Sequence, residues 1–531
     1  MGGYQMKIER ILIEDQMAPI GLDEKKPVFS WLLTAEEGEQ NLMQSACRIV
    51  VRTGEDTVWD SGKMETGVST GIGYEGEALQ PCTKYEVKAE VWDNHGGKAE
   101  AESSFETGLM DSLYAAWEGA EWIGAPHATV CAENRGVFTI ESEFRMEGGK
   151  GEAGIVFGAN DFRLNDHTKN ELGMEGENYI RYAVCLEEGD ARLEIYRVGY
   201  APEDTAEKPF AVTKLVNWKE KTQEILTPEN ADAFHKLTVE VDGNVAYAYV
   251  DGILVDAIEE HGFFGTKVSG RQLNPRGNND VLPYPRLNEI GFYAGKGTTG
   301  YFKNLTVRNV RKPSAEIVRE TPEGRLDGGK SIFADQIPVE NGYFKVEDSQ
   351  ITADPSHHSI PMLRSCISCQ KEKKLASARL YITARGIYDC RINGQEITED
   401  LLRPGLTQYD HRINYQTYDI TGLMKPGRNG IGVTLASGWW SEAQTFVVKN
   451  FNYFGDKESL LAKVVMKYKD GSREVFGTNT EDWKYFGEGP YLFSSYFAGE
   501  QYDARRAEVY ETYSLPEFDD STWEKPVVVD T

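Results

Sequence analysis

The chain has 531 residues, too many for a single hydrophobic core, so roughly three or four domains are expected. Hydrophobic residues make up 40% and aromatic residues 11%, which excludes a disordered chain, and 53 Gly with 20 Pro suit a turn-rich β protein. With 85 acidic against 57 basic residues the net charge of −28 repels phosphate, which argues against nucleic acid or an anionic membrane as partner. No run of about 18 apolar residues offers a membrane-spanning helix. The start, MGGYQMKIERILIEDQ, lacks the apolar segment of a signal peptide, and seven scattered Cys form no disulfide framework, so a cytoplasmic location is expected.

In chain order, residues 1–125 read as a first β-sandwich. Cys47, Ile49 and Val51 alternate, Trp59-Asp60-Ser61-Gly62 turns the chain, and Tyr85, Val87, Ala89 and Val91 alternate again. Such turn-separated strands suggest a fibronectin-III-like fold. Gly71-Ile72-Gly73-Tyr74-Glu75-Gly76 matches the dinucleotide fingerprint as a string, but a β-like segment with Pro81 follows where the mechanism needs a helix, so a loop is the better reading.

Residues 126–311 read as a second β unit. Ile155, Phe157 and Ala159 alternate, as do Tyr179, Arg181 and Ala183. Leu237 to Val241 runs into Asp242-Gly243-Asn244, and Val245, Tyr247 and Tyr249 alternate up to Asp251-Gly252. The pattern is similar to concanavalin-like or laminin-G-like jelly rolls. Residues 312–531 form a third unit, entered through a Lys-, Glu- and Gly-rich stretch. There Leu380, Ile382 and Ala384 alternate, then Tyr388, Cys390 and Ile392, and Asn393-Gly394 supplies the pair that a two-residue hairpin turn wants. Ile431, Val433 and Leu435 alternate before Trp439-Trp440. Cys366-Ile367-Ser368-Cys369 lies in a strand-like run with no partner pair, so it reads as ordinary strand. The fold class is therefore all-β, with three consecutive sandwiches.

The third unit carries Asn393-Gly394, Leu402-Arg403-Pro404-Gly405, Tyr409-Asp410, Tyr415-Gln416-Thr417-Tyr418-Asp419, Pro426-Gly427 and Gly438-Trp439, and continues through Glu481-Asp482-Trp483-Lys484, Tyr502-Asp503-Ala504-Arg505 and Phe518-Asp519-Asp520-Ser521. In that order these residues resemble the accessory β-sandwich of bacterial α-L-rhamnosidases, glycoside hydrolase family 78. Phe29-Ser30-Trp31, Val91-Trp92-Asp93 and Phe105-Glu106-Thr107-Gly108-Leu109 are similar to the opening domain of the same enzymes, and Trp122-Ile123-Gly124 to the hinge after it. The second unit occupies the place where some rhamnosidases carry a calcium-dependent rhamnose-binding module.

The resemblance implies a parent enzyme that hydrolyses terminal α-L-rhamnosyl residues of plant glycosides or polysaccharides, with catalytic carboxylates in an (α/α)6 barrel C-terminal to the sandwiches. No long amphipathic helices of such a barrel are legible, so no catalytic residue is assigned here and the chain alone is expected to be inactive. Among 85 acidic residues, pairs such as Asp519-Asp520 or Asp410 with Asp419 carry no information about acid–base work. The chain would then contribute scaffold and sugar capture, with a rhamnose-containing glycan and the missing catalytic domain as partners. The alternative is a stand-alone carbohydrate-binding or adhesion protein. Asn160-Asp161, with Tyr179 and Arg181, is the sugar-binding candidate in the jelly roll, and Asp161 the candidate calcium ligand, because calcium takes oxygen donors. The same pair also reads as a turn bonding its own backbone. Asn278-Asn279-Asp280 is a weaker place of the same kind. Trp439-Trp440, with Tyr453-Phe454, could stack on a sugar ring, or pack against a neighbouring domain.

Overall fold

The computed structural model describes residues 6–35, 41–161, 177–187, 190–201, 204–215, 225–227, 229–242, 245–255, 268–269, 286–442, 452–497 and 499–530. Nearly all regular structure is antiparallel strand, and among the described residues no helix is long and apolar enough to cross a membrane.

The first sandwich closes a three-stranded sheet, Met6–Ile13, Val28–Ala35 and Ile72–Gly73, over a four-stranded one in the order Asp56–Asp60, Gln44–Thr53, Lys84–Asp93 and Lys98–Glu106. The alternating residues point inward: Cys47, Ile49, Val51, Tyr85, Val87 and Phe105 are almost fully buried with Phe29 and Trp31. Ile72–Gly73 is a short edge strand, and Tyr74 tucks its ring against Trp59 at 5.3 Å, so the glycine-rich string is a loop.

The second unit is a jelly roll. One sheet has six strands in the order Phe210–Leu215, Asp190–Val198, Tyr179–Glu187, Gly151–Ala159, Glu289–Ala294 and Gln350–Ala353. The facing sheet is built around Val137–Met146, which pairs with His235–Asp242 on one side and with Thr299–Phe302 and Leu305–Asn309 on the other. Phe292 stands at the centre of the core, 4.6 Å from Phe302 and 5.0 Å from Phe333. These sheets extend past residue 311: Lys312–Thr321 pairs with Leu305–Asn309, Tyr343–Glu347 with Thr299–Phe302, and Gln350–Ala353 with Glu289–Ala294. The polar composition that suggested a boundary at 312 reflects exposed edge positions, as in Lys312, Pro313 and Ser314.

The third sandwich has a five-stranded sheet in the order Gln395–Glu396, Ile387–Ile392, Gly427–Ala436, Met362–Cys369 and Lys484–Phe486, and a facing six-stranded sheet centred on Leu375–Arg385 and Ser459–Tyr468. Asn393 and Gly394 sit at φ 51° and 83°, the two positive values of a type I′ turn, between paired strands. Cys366 and Cys369 lie in the strand Met362–Cys369. Ile123–Gly124 belongs to this sandwich, inserted between Ser459–Tyr468 and Val527–Val528, with Ile123 fully buried. The chain therefore leaves the third sandwich at Gly124, builds the jelly roll, and returns at Met362. First and third sandwiches are clamped together: both Glu106 carboxylate oxygens accept from Arg379, at 2.7 and 2.6 Å, and Tyr415 donates to Asp23 at 2.6 Å while accepting from the Leu109 backbone at 2.8 Å.

Candidate carbohydrate-binding site

The strand Gly151–Ala159 ends in a left-handed residue, Asn160 at φ 52°, followed by Asp161. Gly158, at φ 62°, lets the chain pass beneath Tyr200; a Cβ there would lie 2.5 Å from the tyrosine hydroxyl, which donates to the Gly158 carbonyl at 2.6 Å. The Gly158 carbonyl also accepts from Asn178 Nδ2 at 2.8 Å, and the Asn160 amide donates to the Asn178 carbonyl at 3.0 Å. Ala159 bridges to Asn288, and the Gly158 amide donates to the Leu287 carbonyl at 2.7 Å. Three chain segments, distant in sequence, thus meet at one end of the six-stranded sheet.

Their polar groups are buried there. Asp161 is 1% exposed, Asn178 2% and Asn288 5%. Asn178 Oδ1 and both amide atoms of Asn288 are buried without a hydrogen-bond partner. An unpaired buried amide costs roughly 1–3 kcal/mol, so such a cluster needs a reason. Asn160 lies at the surface beside it, its Nδ2 donating to Glu289 Oε2 at 2.7 Å, an oxygen that also accepts from Thr352 at 2.6 Å. Hard oxygen donors of this kind fit calcium: a buried carboxylate with amide oxygens free of other bonds. Among the described residues no group of three or more His, Cys, Asp or Glu is placed to hold a metal, so a cation here would rest on Asp161 and amide or backbone oxygens together.

Tyr179 follows Asn178 directly, and with Arg181 it lines the outer face of the same sheet. The Arg181 guanidinium lies 3.6 Å from the centre of the Tyr293 ring, 4.4 Å from Tyr196 and 5.7 Å from Tyr179. Tyr293 donates to Glu152 Oε2 at 3.3 Å, and burial raises the Glu152 carboxyl above its usual range although Arg181 opposes the rise. Burial likewise pushes the Tyr293 phenol up to about 12. Arg181 is therefore held among aromatic rings, fixing tyrosines next to the asparagine cluster.

The remaining candidates are elsewhere. Trp439 and Trp440 belong to the third sandwich, in the short helix Gly438–Ser441. Trp440 is a packing residue rather than half of a stacking platform: it is buried, Nε1 donates to the Lys457 carbonyl at 2.9 Å, and Phe454 stacks on it at 6.3 Å with Arg385 5.5 Å from the ring centre. Trp439 leans on Tyr496, ring centres 4.3 Å apart. Asn278-Asn279-Asp280 lies outside the described residues. The residues that sequence reasoning missed are Asn178 and Asn288. Asn178 abuts the flagged Tyr179, but Asn288 carries no local signal.

The fold and this site define a class, an all-β chain of three packed sandwiches whose central jelly roll carries a cluster of oxygen donors. Residues 373–531 match the model of the α-L-rhamnosidase N-terminal domain, and residues 8–111 that of the Rha78A-like N-terminal immunoglobulin domain. An α-L-rhamnosidase of Streptomyces avermitilis is 27% identical over 523 residues, covering 96% of this chain and 44% of the relative, and one of Formosa agariphila is 38% identical over 151 residues, 28% of this chain and 16% of the relative. The crystal structure of the Streptomyces avermitilis α-L-rhamnosidase complexed with L-rhamnose superposes with a TM-score of 0.56 at 21% identity, covering 99% of this chain and 45% of that one. Native Aspergillus terreus α-L-rhamnosidase gives 0.51 at 16% identity, covering 99% and 34%. The first and last parts of this chain thus match domains found at the N-terminus of α-L-rhamnosidases. The chain spans less than half the length of the curated relatives it matches.

Proposed function

We propose that this chain is the non-catalytic front part of an α-L-rhamnosidase that removes terminal α-linked L-rhamnose from plant glycosides or polysaccharides, and that its jelly roll captures the sugar with the help of calcium. The observation that carries the capture role is the buried, unpartnered Asn178 Oδ1 and Asn288 amide at the sheet end where Asp161 is also buried. Calcium, when bound, would supply a hard cation able to take sugar hydroxyls as further ligands. The chain's own part is to hold Asp161, Asn178 and Asn288 as oxygen donors, to keep Asn160 at the surface, and to fix Tyr179 beside them through Arg181. Capture of this kind raises the local concentration of substrate at a linked catalytic domain without adding chemistry.

Acid–base hydrolysis is assigned to no residue here, and the purified chain is expected to release no rhamnose. Affinity electrophoresis through a gel containing a rhamnose-rich polysaccharide tests the capture role. Calcium should retard the chain, and chelator or Asp161→Ala should restore its mobility. Equal mobility with and without polysaccharide in the presence of calcium would reject it.

A further inference from the structure

We propose that the third sandwich carries a second sugar site, separate from the jelly roll, in a cleft of about 360 Å³ walled by tyrosines that takes a neutral pyranose ring. Its floor is Tyr388 and Asp389 on the strand Ile387–Ile392 with Thr434 and Ala436 on Gly427–Ala436. One wall is the loop Leu401 to Arg403, and the other is the hairpin of Tyr491–Ser495 and Gly499–Tyr502. Tyr510, on the helix Ala507–Thr512, closes one end in edge contact with Tyr491 at 5.2 Å. The volume lies within the roughly 300–1,000 Å³ usual for small-molecule clefts, at the small end that suits a single ring.

The chemistry of the lining selects the ligand. Asp389 is fixed as an acceptor, Oδ1 receiving Arg403 Nη2 at 3.0 Å and Oδ2 receiving the Tyr510 hydroxyl at 3.0 Å. Glu500 is exposed at the mouth and accepts from Ser494 at 3.1 Å. Two carboxylates against one guanidinium disfavour an anionic guest. Arg403 is 93% buried, 7% remaining exposed, and also bonds the Tyr418 hydroxyl, and the Tyr496 hydroxyl is buried without a hydrogen-bond partner. Aromatic faces together with fixed carboxylates and hydroxyls match a ring that presents C–H groups on its faces and hydroxyls at its rim. Leu402 is held at φ 63°, a conformation that branched residues rarely adopt, and strain of this kind collects at ligand-binding segments. Trp439 does not face a sugar in this arrangement; it supports Tyr496 from behind.

Fluorine NMR of the whole chain labelled with 3-fluorotyrosine reads the cleft directly, with Tyr491, Tyr496 and Tyr510 assigned by single Tyr→Phe variants. L-rhamnose, D-galactose and D-glucose are the probes. At least one of them should move these resonances saturably, and a chelator should leave the response unchanged, which separates it from calcium-dependent capture by the jelly roll. Ser495→Trp, which fills the cleft, should weaken the response by at least about tenfold. Glu500→Gln, at an exposed position, should weaken it severalfold with unchanged thermal unfolding. The proposal is overturned if none of the three resonances responds to any of the sugars, or if both variants bind as the wild type does.

Discussion

Arg364 has no exposed surface: Nε donates to the Tyr513 carbonyl at 2.7 Å, Nη2 donates to the Leu515 carbonyl at 3.1 Å, and Nη1 forms an ion pair with Asp520. It thereby ties the strand Met362–Cys369 to the C-terminal segment that carries Phe518 and Trp523. Removing one partner of a buried charged network costs about 3–5 kcal/mol, so Arg364→Ala should lower the urea-unfolding free energy by that amount. A loss under about 1 kcal/mol would mean the guanidinium is dispensable. Single residues also mark the limit of what a sequence reveals. Asn160-Asp161 is legible because two polar residues interrupt an alternating strand. Asn178 and Asn288 are not, because their partners lie far away in the chain and only the sheet brings them to Gly158 and Ala159.

Local turn chemistry made the hairpin after Ile387–Ile392 legible from Asn393-Gly394 alone. Gly394 sits at φ 83°, and a Cβ there would approach Leu515 Cδ2 at 3.0 Å. Gly394→Val should therefore cost at least about 1–2 kcal/mol, measured by chemical denaturation, and an unchanged midpoint would contradict the turn assignment. Strand Leu375–Arg385 was legible only in half. Alternation of Leu380, Ile382 and Ala384 identified one inward face, but Tyr381 on the other face is 2% exposed too, covered together with Leu461 and Val465 by Leu109 and Trp117. Period-two reasoning assumes a solvent-facing side, and a sheet buried between two sandwiches has none. Ile123–Gly124 was obscure for a related reason: two residues contributed to a distant sheet have no period of their own.

In the whole molecule, the jelly roll is an insertion joined to the third sandwich by two crossings that run side by side, linked by the antiparallel bridge between Val130 and His357. Three histidines gather at this junction: His127 stacks on His358 with ring centres 5.2 Å apart, and His357 meets His358 edge-on at 4.9 Å. Asp327 and Arg325 face them from the jelly roll, Glu488 and Arg506 from the third sandwich. Burial pushes His357 down to about 4 and lowers His358, so the folded junction favours neutral rings. Groups with a depressed folded pKa contribute full stability above the unfolded value, near 6.5, and lose it as pH falls toward about 4. Acidification from pH 7 to 4.5 should lower the hydrogen-exchange protection factors, taken relative to the intrinsic rate at each pH, at residues 125–131 and 354–358, and His357→Phe should flatten that dependence. Identical profiles for the two proteins would refute the role of the cluster.

At the same scale, the proposed capture role requires that the central jelly roll engage rhamnose. Calorimetric titration of the purified chain with L-rhamnose, first with calcium and then with chelator, measures this most directly. Heat should depend on calcium, vanish with chelator, and be absent from Asp161→Ala and Asn178→Ala. Heat of the same size in all these conditions, or none in any, would contradict that role.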